Sequence, residues 1–199
     1  MRKAVEIDNN NVDALEKLCE VLDQEGASDK ALALCLQGIK DHPREVSLYI
    51  LCGEMYEAKK DWDQAKDIYE QALSISPDHP VASNNLSYMM LEQGGDVDVA
   101  MKMAQTARRA CPTVSNFADT LGWAYYRKGI YESAINEFQE ALLLDEKNGN
   151  PDNAVVHYHL GLAYQKANKT SLAREQLAKA VKLKPDYSEA RKALAELGD

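Results

Sequence analysis

The side chains able to do chemistry here are four histidines, four cysteines and a surplus of carboxylates. His42 and His79 stand beside Pro43 and Pro80, in turn-like surroundings. His157 and His159 are two apart. On a helix that spacing points them to different faces, whereas a chelating pair needs an i,i+4 step. His157 falls where a packing residue is needed. Cys19, Cys35, Cys52 and Cys111 contain no CxxC pair. They read as small buried apolar residues, and free thiols favour a reducing compartment. No Gly-rich phosphate loop, metal-ligand spacing or nucleophile motif occurs. The expectation is therefore a protein that is not an enzyme, with no cofactor and no metal.

The elements that must position these residues are set by a repeat of 34 residues. Pro43, Pro77, Pro112 and Pro185 mark it, and about twelve residues before each stands Ala31, Ala65, Ala100 or Ala173. Ala134 keeps the same distance before Glu146, which fills a proline slot. A fixed period of this length marks stacked helix pairs, whose product is a surface. Five units are placed at 12–45, 46–79, 80–114, 115–148 and 154–187. Gly53, Gly122 and Gly161 let the first helix of a pair approach the second, where Ala65, Ala134 and Ala173 do the same. Tyr56, Tyr125 and Tyr164 fill the space between. Each proline stops a second helix, because it lacks an amide donor and clashes with the preceding turn. Asp61 and Asp96 stand where N-caps belong.

This pattern resembles the tetratricopeptide repeat family over nearly the whole chain. The resemblance implies an all-α, right-handed superhelical solenoid of antiparallel helix pairs. It also implies a concave face lined by the first helix of each repeat, used to hold peptides or helices of other proteins. Several positions depart from the pattern. Unit one carries Cys19, Leu22 and Gly38 at conserved-type slots, and unit three carries Ser87 and Met90. Gly94-Gly95 adds one residue to the third inter-helix turn. Residues 149–153, Gly-Asn-Pro-Asp-Asn, read as an exposed insertion. Residues 1–11 read as the remnant of a preceding repeat, and 188–199 as a C-terminal capping helix. The expectation is a chain cut from a longer array that extends N-terminally and ends near here. Asn84-Asn85-Leu86-Ser87-Tyr88 and the run from Ala118 to Tyr125 are similar to bacterial repeat proteins of exopolysaccharide and exosortase systems.

The family builds its concave surface from the second, fifth, ninth and twelfth residues of each repeat. Carried onto this sequence, these positions give a candidate partner-binding groove of Glu16, Glu20, Glu54, Glu57, Asn84, Tyr88, Leu91, Asp119, Trp123, Tyr126 and Tyr158. Its first part is acidic and its last part aromatic. The implied partner is a protein or peptide combining apolar anchors with Lys or Arg. Trp123 and Tyr88 are the expected anchors, and Glu16, Glu20, Glu54 and Glu57 the expected attractors. Co-chaperone members of the family clamp a carboxylate with Lys and Asn at these positions. Carboxylates in their place would repel one.

The charge agrees with this polarity. Residues 1–79 hold 17 Asp and Glu against 9 Lys and Arg, net −8, and residues 80–199 hold 15 against 14, net −1. An acidic surface repels phosphate backbones, which excludes nucleic acid as a partner. No apolar run approaches the eighteen or so residues of a spanning helix, and the first eight residues lack a signal-peptide core. The reading is a scaffold without membrane insertion, cytoplasmic, or envelope-associated if the full-length protein carries a signal. Its alternatives are self-association through the N-terminal end and a substrate-recruiting arm of a larger enzyme.

Overall fold

The computed structural model describes residues 11–151 and 153–198. Among these the regular elements are eleven helices and no strand. They are α1 (Val12–Gln24), α2 (Ser28–Asp41), α3 (Val46–Ala58), α4 (Trp62–Ile75), α5 (Pro80–Glu92), α6 (Val97–Ala110), α7 (Ser115–Arg127), α8 (Tyr131–Lys147), α9 (Ala154–Lys166), α10 (Thr170–Leu183) and α11 (Ser188–Glu196). Apart from Asn11, the expected N-terminal remnant lies outside the described residues.

Two compact units are present, divided between Leu86 and Ser87 within α5. In unit 1, α1 packs on α2, α2 on α3 and α3 on α4, with α1 also touching α3. Leu15, Leu18, Cys19, Leu32, Leu48 and Ile68 form its core. In unit 2 the sequential packing runs from α6 to α11, around Trp123, Ile135, Phe138, Leu160 and several alanines. Ser87 Oγ donates to the Ala100 carbonyl at 2.7 Å, tying α5 to α6.

The small residues do what their size demands. A Cβ built on Gly122 would stand 2.7 Å from the Phe138 ring, and one on Gly161 would stand 2.7 Å from Leu177 Cγ. At Gly53 it would run into the Tyr69 ring. Phe138 and Tyr69 are fully buried, and each ring contributes about 1.5–3 kcal/mol through that burial.

Local chemistry sets the helix ends. Four second helices stop two residues before a proline: α2 before Pro43, α4 before Pro77, α6 before Pro112 and α10 before Pro185. Where Glu146 replaces the proline, α8 continues to Lys147 and runs to 17 residues. Gly149, at φ +79°, then closes it, with the Asn150 amide donating to the Asp145 carbonyl at 2.9 Å. The overrun stays within the fourth unit, and none of the described residues of the 149–153 insertion is helical. Asn153 ends the insertion as the N-cap of α9, its side chain accepting from the Val155 and Val156 amides.

Most first helices end in one left-handed residue followed by a six-to-one hydrogen bond, the arrangement that satisfies final carbonyls. Gly129 (φ +81°) is one case, with the Ile130 amide donating to the Tyr125 carbonyl at 2.9 Å. Lys60 and Asn168 hold the same conformation at φ 59° without being glycine. The third turn has four residues, 93–96, where the turn of unit four has three, 128–130, which places the Gly94-Gly95 insertion. Asp96 caps α6 through the Asp98 and Val99 amides. Asp61 stands at the N-cap of α4 but makes no capping bond.

One expectation is corrected. Cys35 of α2 and Cys52 of α3 are not separate free thiols. They form a disulfide with Cα atoms 5.9 Å apart, and neither residue is exposed. Both cysteines occupy core-facing positions on adjacent helices, and that shared orientation brings the sulfurs together. Cys19 and Cys111 are free. Burial pushes the Cys19 thiol up to about 11, which leaves it inert.

Candidate partner-binding surface

In unit 1 the candidate residues come from α1, α3 and the start of α5. Glu16 is half-buried, and its Oε1 is buried without a hydrogen-bond donor. Glu20, one turn on, pairs with Lys17 at 2.5 Å. This i,i+3 pair is exposed and worth little. Glu54 accepts from Asn85 Nδ2 at 3.3 Å. Burial raises its pKa, an effect the Asn85 bond opposes and the Glu20 charge reinforces. Glu57 is raised to about 7 by burial, against the pull of its hydrogen bond with the Tyr69 hydroxyl. Asn84 is 6% exposed. Its Nδ2 donates to Asn85 Oδ1 at 3.2 Å, and its own Oδ1 is buried with no donor.

Unit 2 brings together rings. Trp123 lies parallel to Tyr126 at 4.8 Å on one side and to His159 at 4.4 Å on the other. Its Nε1 donates to Glu92 Oε1 at 2.8 Å. His159 is 3% exposed and shares a 2.9 Å hydrogen bond between its Nδ1 and Asp119 Oδ1. Phe138 and Tyr158 tilt against the same imidazole. Tyr158 also meets Tyr187, with centroids 5.0 Å apart. Burial raises the pKa of Tyr126 and of Tyr158.

The placement corrects several sequence expectations. Trp123 is 8% exposed, Leu91 is not exposed at all and Asp119 is 8% exposed. None of the three offers an open contact area. Trp123 is the filling of a ring stack, Leu91 belongs to the unit 2 core, and Asp119 is engaged by His159. Tyr88, Tyr126 and Tyr158 keep partial exposure. His157, expected at a packing position, bonds Gln176 of α10 at 2.7 Å.

Four contributors were missed: His159, Glu92, Asn85 and Tyr187. His159 occupies the slot beside Tyr158 in unit five, as Thr120 stands beside Asp119 in unit four. Register alignment of adjacent first helices is the signal that pairs it with Asp119. Tyr187 lies just before α11, at the last position of the fifth unit, where the groove positions of the first helix do not reach.

A buried Asp–His pair orients an imidazole, as base catalysis requires. Here the imidazole is covered by Trp123, Phe138 and Tyr158, and the pair links α9 to α7. Among the described residues no three His, Cys, Asp or Glu side chains converge on a metal position.

A TPR repeat family model matches residues 122–168, and a tetratricopeptide repeat model matches 46–79 and 154–187. Together they cover half of the chain. The chain belongs to the tetratricopeptide repeat family. This tetratricopeptide repeat chain is 25% identical to a TPR repeat-containing protein of Pseudomonas aeruginosa over 142 residues, 71% of this chain and 23% of that protein. It spans about a fifth to a third of the length of the curated relatives it matches. Among solved structures it is similar to YrrB, described as a TPR protein with an unusual peptide-binding site. The TM-score is 0.68 at 21% identity, covering 96% of each chain. It is also similar to a chain of the APC/C hetero-tetramer Cut9-Hcn1. That TM-score is 0.83 at 18% identity, covering 100% of this chain and 38% of that one. At these identities the likeness concerns the fold.

Proposed function

We propose that this chain is a protein-interaction scaffold that holds a peptide or helix of a partner carrying both apolar anchors and basic residues. The observation that carries the reading is the ring set of unit 2. Tyr126, Tyr158 and Tyr187 are half-exposed and backed by the closed Trp123–His159 stack. Rigid rings present large contact area at small entropic cost, and tyrosine is enriched at binding hot spots. Unit 1 contributes acceptors, Glu16, Glu20, Glu54, Glu57 and Asn84, which suit Lys or Arg. The peptide-binding site in the description of YrrB and the assembly in that of Cut9-Hcn1 belong to those proteins, and they favour the same class of activity here.

The Cys35–Cys52 disulfide favours an oxidising compartment, and so an envelope location over the cytoplasm. Among the described residues no helix is long and apolar enough to cross a membrane.

The test is capture of peptides from a random library by the intact chain, followed by affinity measurement on the best binder. Replacing Tyr126 and Tyr158 together with Ala should cost at least about 2 kcal/mol, roughly thirtyfold, if they are hot spots. Retained affinity with intact helicity would end the anchor role.

A further inference from the structure

We propose that the trench between α10 and α11 is a second docking site, which takes an acidic amphipathic helix of a partner protein. This goes beyond the scaffold reading and uses neither the tyrosines of unit 2 nor the carboxylates of unit 1. Helix α10 contributes Arg174, Ala178 and Val181, and α11 contributes Arg191, Leu194 and Ala195. Within each set the three-or-four spacing puts the side chains on one face of the helix. The trench encloses about 810 Å³. Its middle is apolar: Ala178 and Ala195 stand exposed, and Val181 and Leu194 are half-covered.

The packing leaves a helix-shaped place here. Earlier first helices carry a following second helix: α2 lies on α1, α4 on α3, α8 on α7 and α10 on α9. Among the described residues α11 packs on α10 and has no such follower. A helix that ends a stack needs a polar outer face, whereas α11 turns Leu194 and Ala195 to the trench. The open place corresponds to the one a second helix fills in those earlier units, so the occupant that fits is a helix with an apolar face.

Charge selects the kind of helix. Residues 170–198 hold six Lys and Arg against four Asp and Glu, in a chain of net charge −9. The trench walls carry two arginines and no carboxylate. Neither guanidinium is held by an ion pair or a side-chain hydrogen bond. Arg174 is half-buried, and a guanidinium there grips a carboxylate through two parallel N–H···O bonds. A second copy presenting its own trench would set arginine against arginine, which disfavours that pairing. The turn 184–187 folds α11 back along α10. Arg191 is three residues past the start of α11, and Arg174 is nine before the end of α10. At the helical rise per residue they stand about 9 Å apart along the trench, close to two turns. The matching helix therefore carries Glu or Asp at i and i+7, with aliphatic residues at i+3 and i+4.

The test titrates the intact chain with a capped helical peptide of about four turns, built with Glu at i and i+7 and Leu at i+3 and i+4. Fluorescence anisotropy gives the affinity and ¹⁵N NMR the location. The expected result is saturable binding, with shifts at residues 174–181 and 191–198. Exchanging both peptide Glu for Gln should weaken it at least about tenfold, and so should Arg174→Ala/Arg191→Ala in the protein, since each removes the charge pairs. Lys179→Gln should leave it unchanged, because Lys179 pairs with Glu175 and does not line the trench. Circular dichroism confirms that the variants keep their helices. Equal binding of the Gln peptide, equal binding by the arginine variant, or shifts confined to other residues overturns the site.

Other occupants give other results. Sedimentation that shows self-association, lost in Arg174→Ala/Arg191→Ala, assigns the trench to a second copy and overturns the partner helix. Laurate bound as tightly as the peptide overturns it too, since an anionic chain without helical register would then suffice. The two readings fail separately. The Tyr126→Ala/Tyr158→Ala variant should bind the acidic helix as the wild type does. If that variant loses the library-selected peptide and the acidic helix never binds, the scaffold reading stands and the trench falls. If the acidic helix binds and no library peptide does, the trench stands and the scaffold reading falls.

Discussion

An indole held between an imidazole and a phenol ring, with its N–H on a carboxylate, is a packing residue before it is a contact residue. Trp123→Ala should therefore cost about 3–5 kcal/mol of stability, as large-to-small core changes do, and urea denaturation would show it. A loss below about 1 kcal/mol would mean that the stack is not part of the core. Glu57 makes a second prediction at this scale. Its carboxyl holds a proton up to about 7, against an ordinary value of 4.5. The native state therefore binds the proton more tightly than the unfolded chain does. Stability from this group is full below pH 4.5 and declines as pH climbs through 7. Glu57 is half-exposed, and screening by solvent reduces the effect to about 1–2 kcal/mol. Glu57→Gln should match the wild type at pH 4.5 and exceed it by that amount at pH 8. A constant difference across that range would refute the burial argument.

At the scale of helices, the disulfide between α2 and α3 fastens one helix pair to the next. It closes a loop of 17 residues, a length for which chain entropy gives about 3 kcal/mol. Reduction with dithiothreitol, or Cys35→Ser, should lower the unfolding free energy by roughly that amount and speed amide exchange in α2 and α3 first. Unchanged exchange in those helices on reduction would show that the bond contributes nothing to them. The helices themselves were legible in the sequence because their signals are local: prolines two residues past an end, glycine opposite a ring, Asp96 at an N-cap. What was not legible depends on neighbours far along the chain. Trp123 occupies a groove-type position, yet it is closed off by His159, 36 positions later. Cys35 and Cys52 each read as an ordinary core residue, since spacing alone does not reveal that their Cβ atoms face one another. Glu146 announced the missing stop, but how far α8 would overrun depended on Gly149.

Across the whole molecule, chemistry is partitioned. Residues 1–79 carry a net −8 and the remainder −1. Acceptors gather in unit 1 and rings in unit 2, so a partner that uses both must itself be patterned, basic in one stretch and apolar in another. The salt dependence of its binding would belong to the basic stretch. The chain's two tryptophans follow the same partition. Trp62, at the start of α4, is 37% exposed, and Trp123 is enclosed. Each unit therefore carries its own fluorophore, one emitting from a wet environment and one from a dry environment beside a potential quencher. Trp62→Phe would leave a single lamp in unit 2, by which its melting and its encounters can be watched apart from those of unit 1.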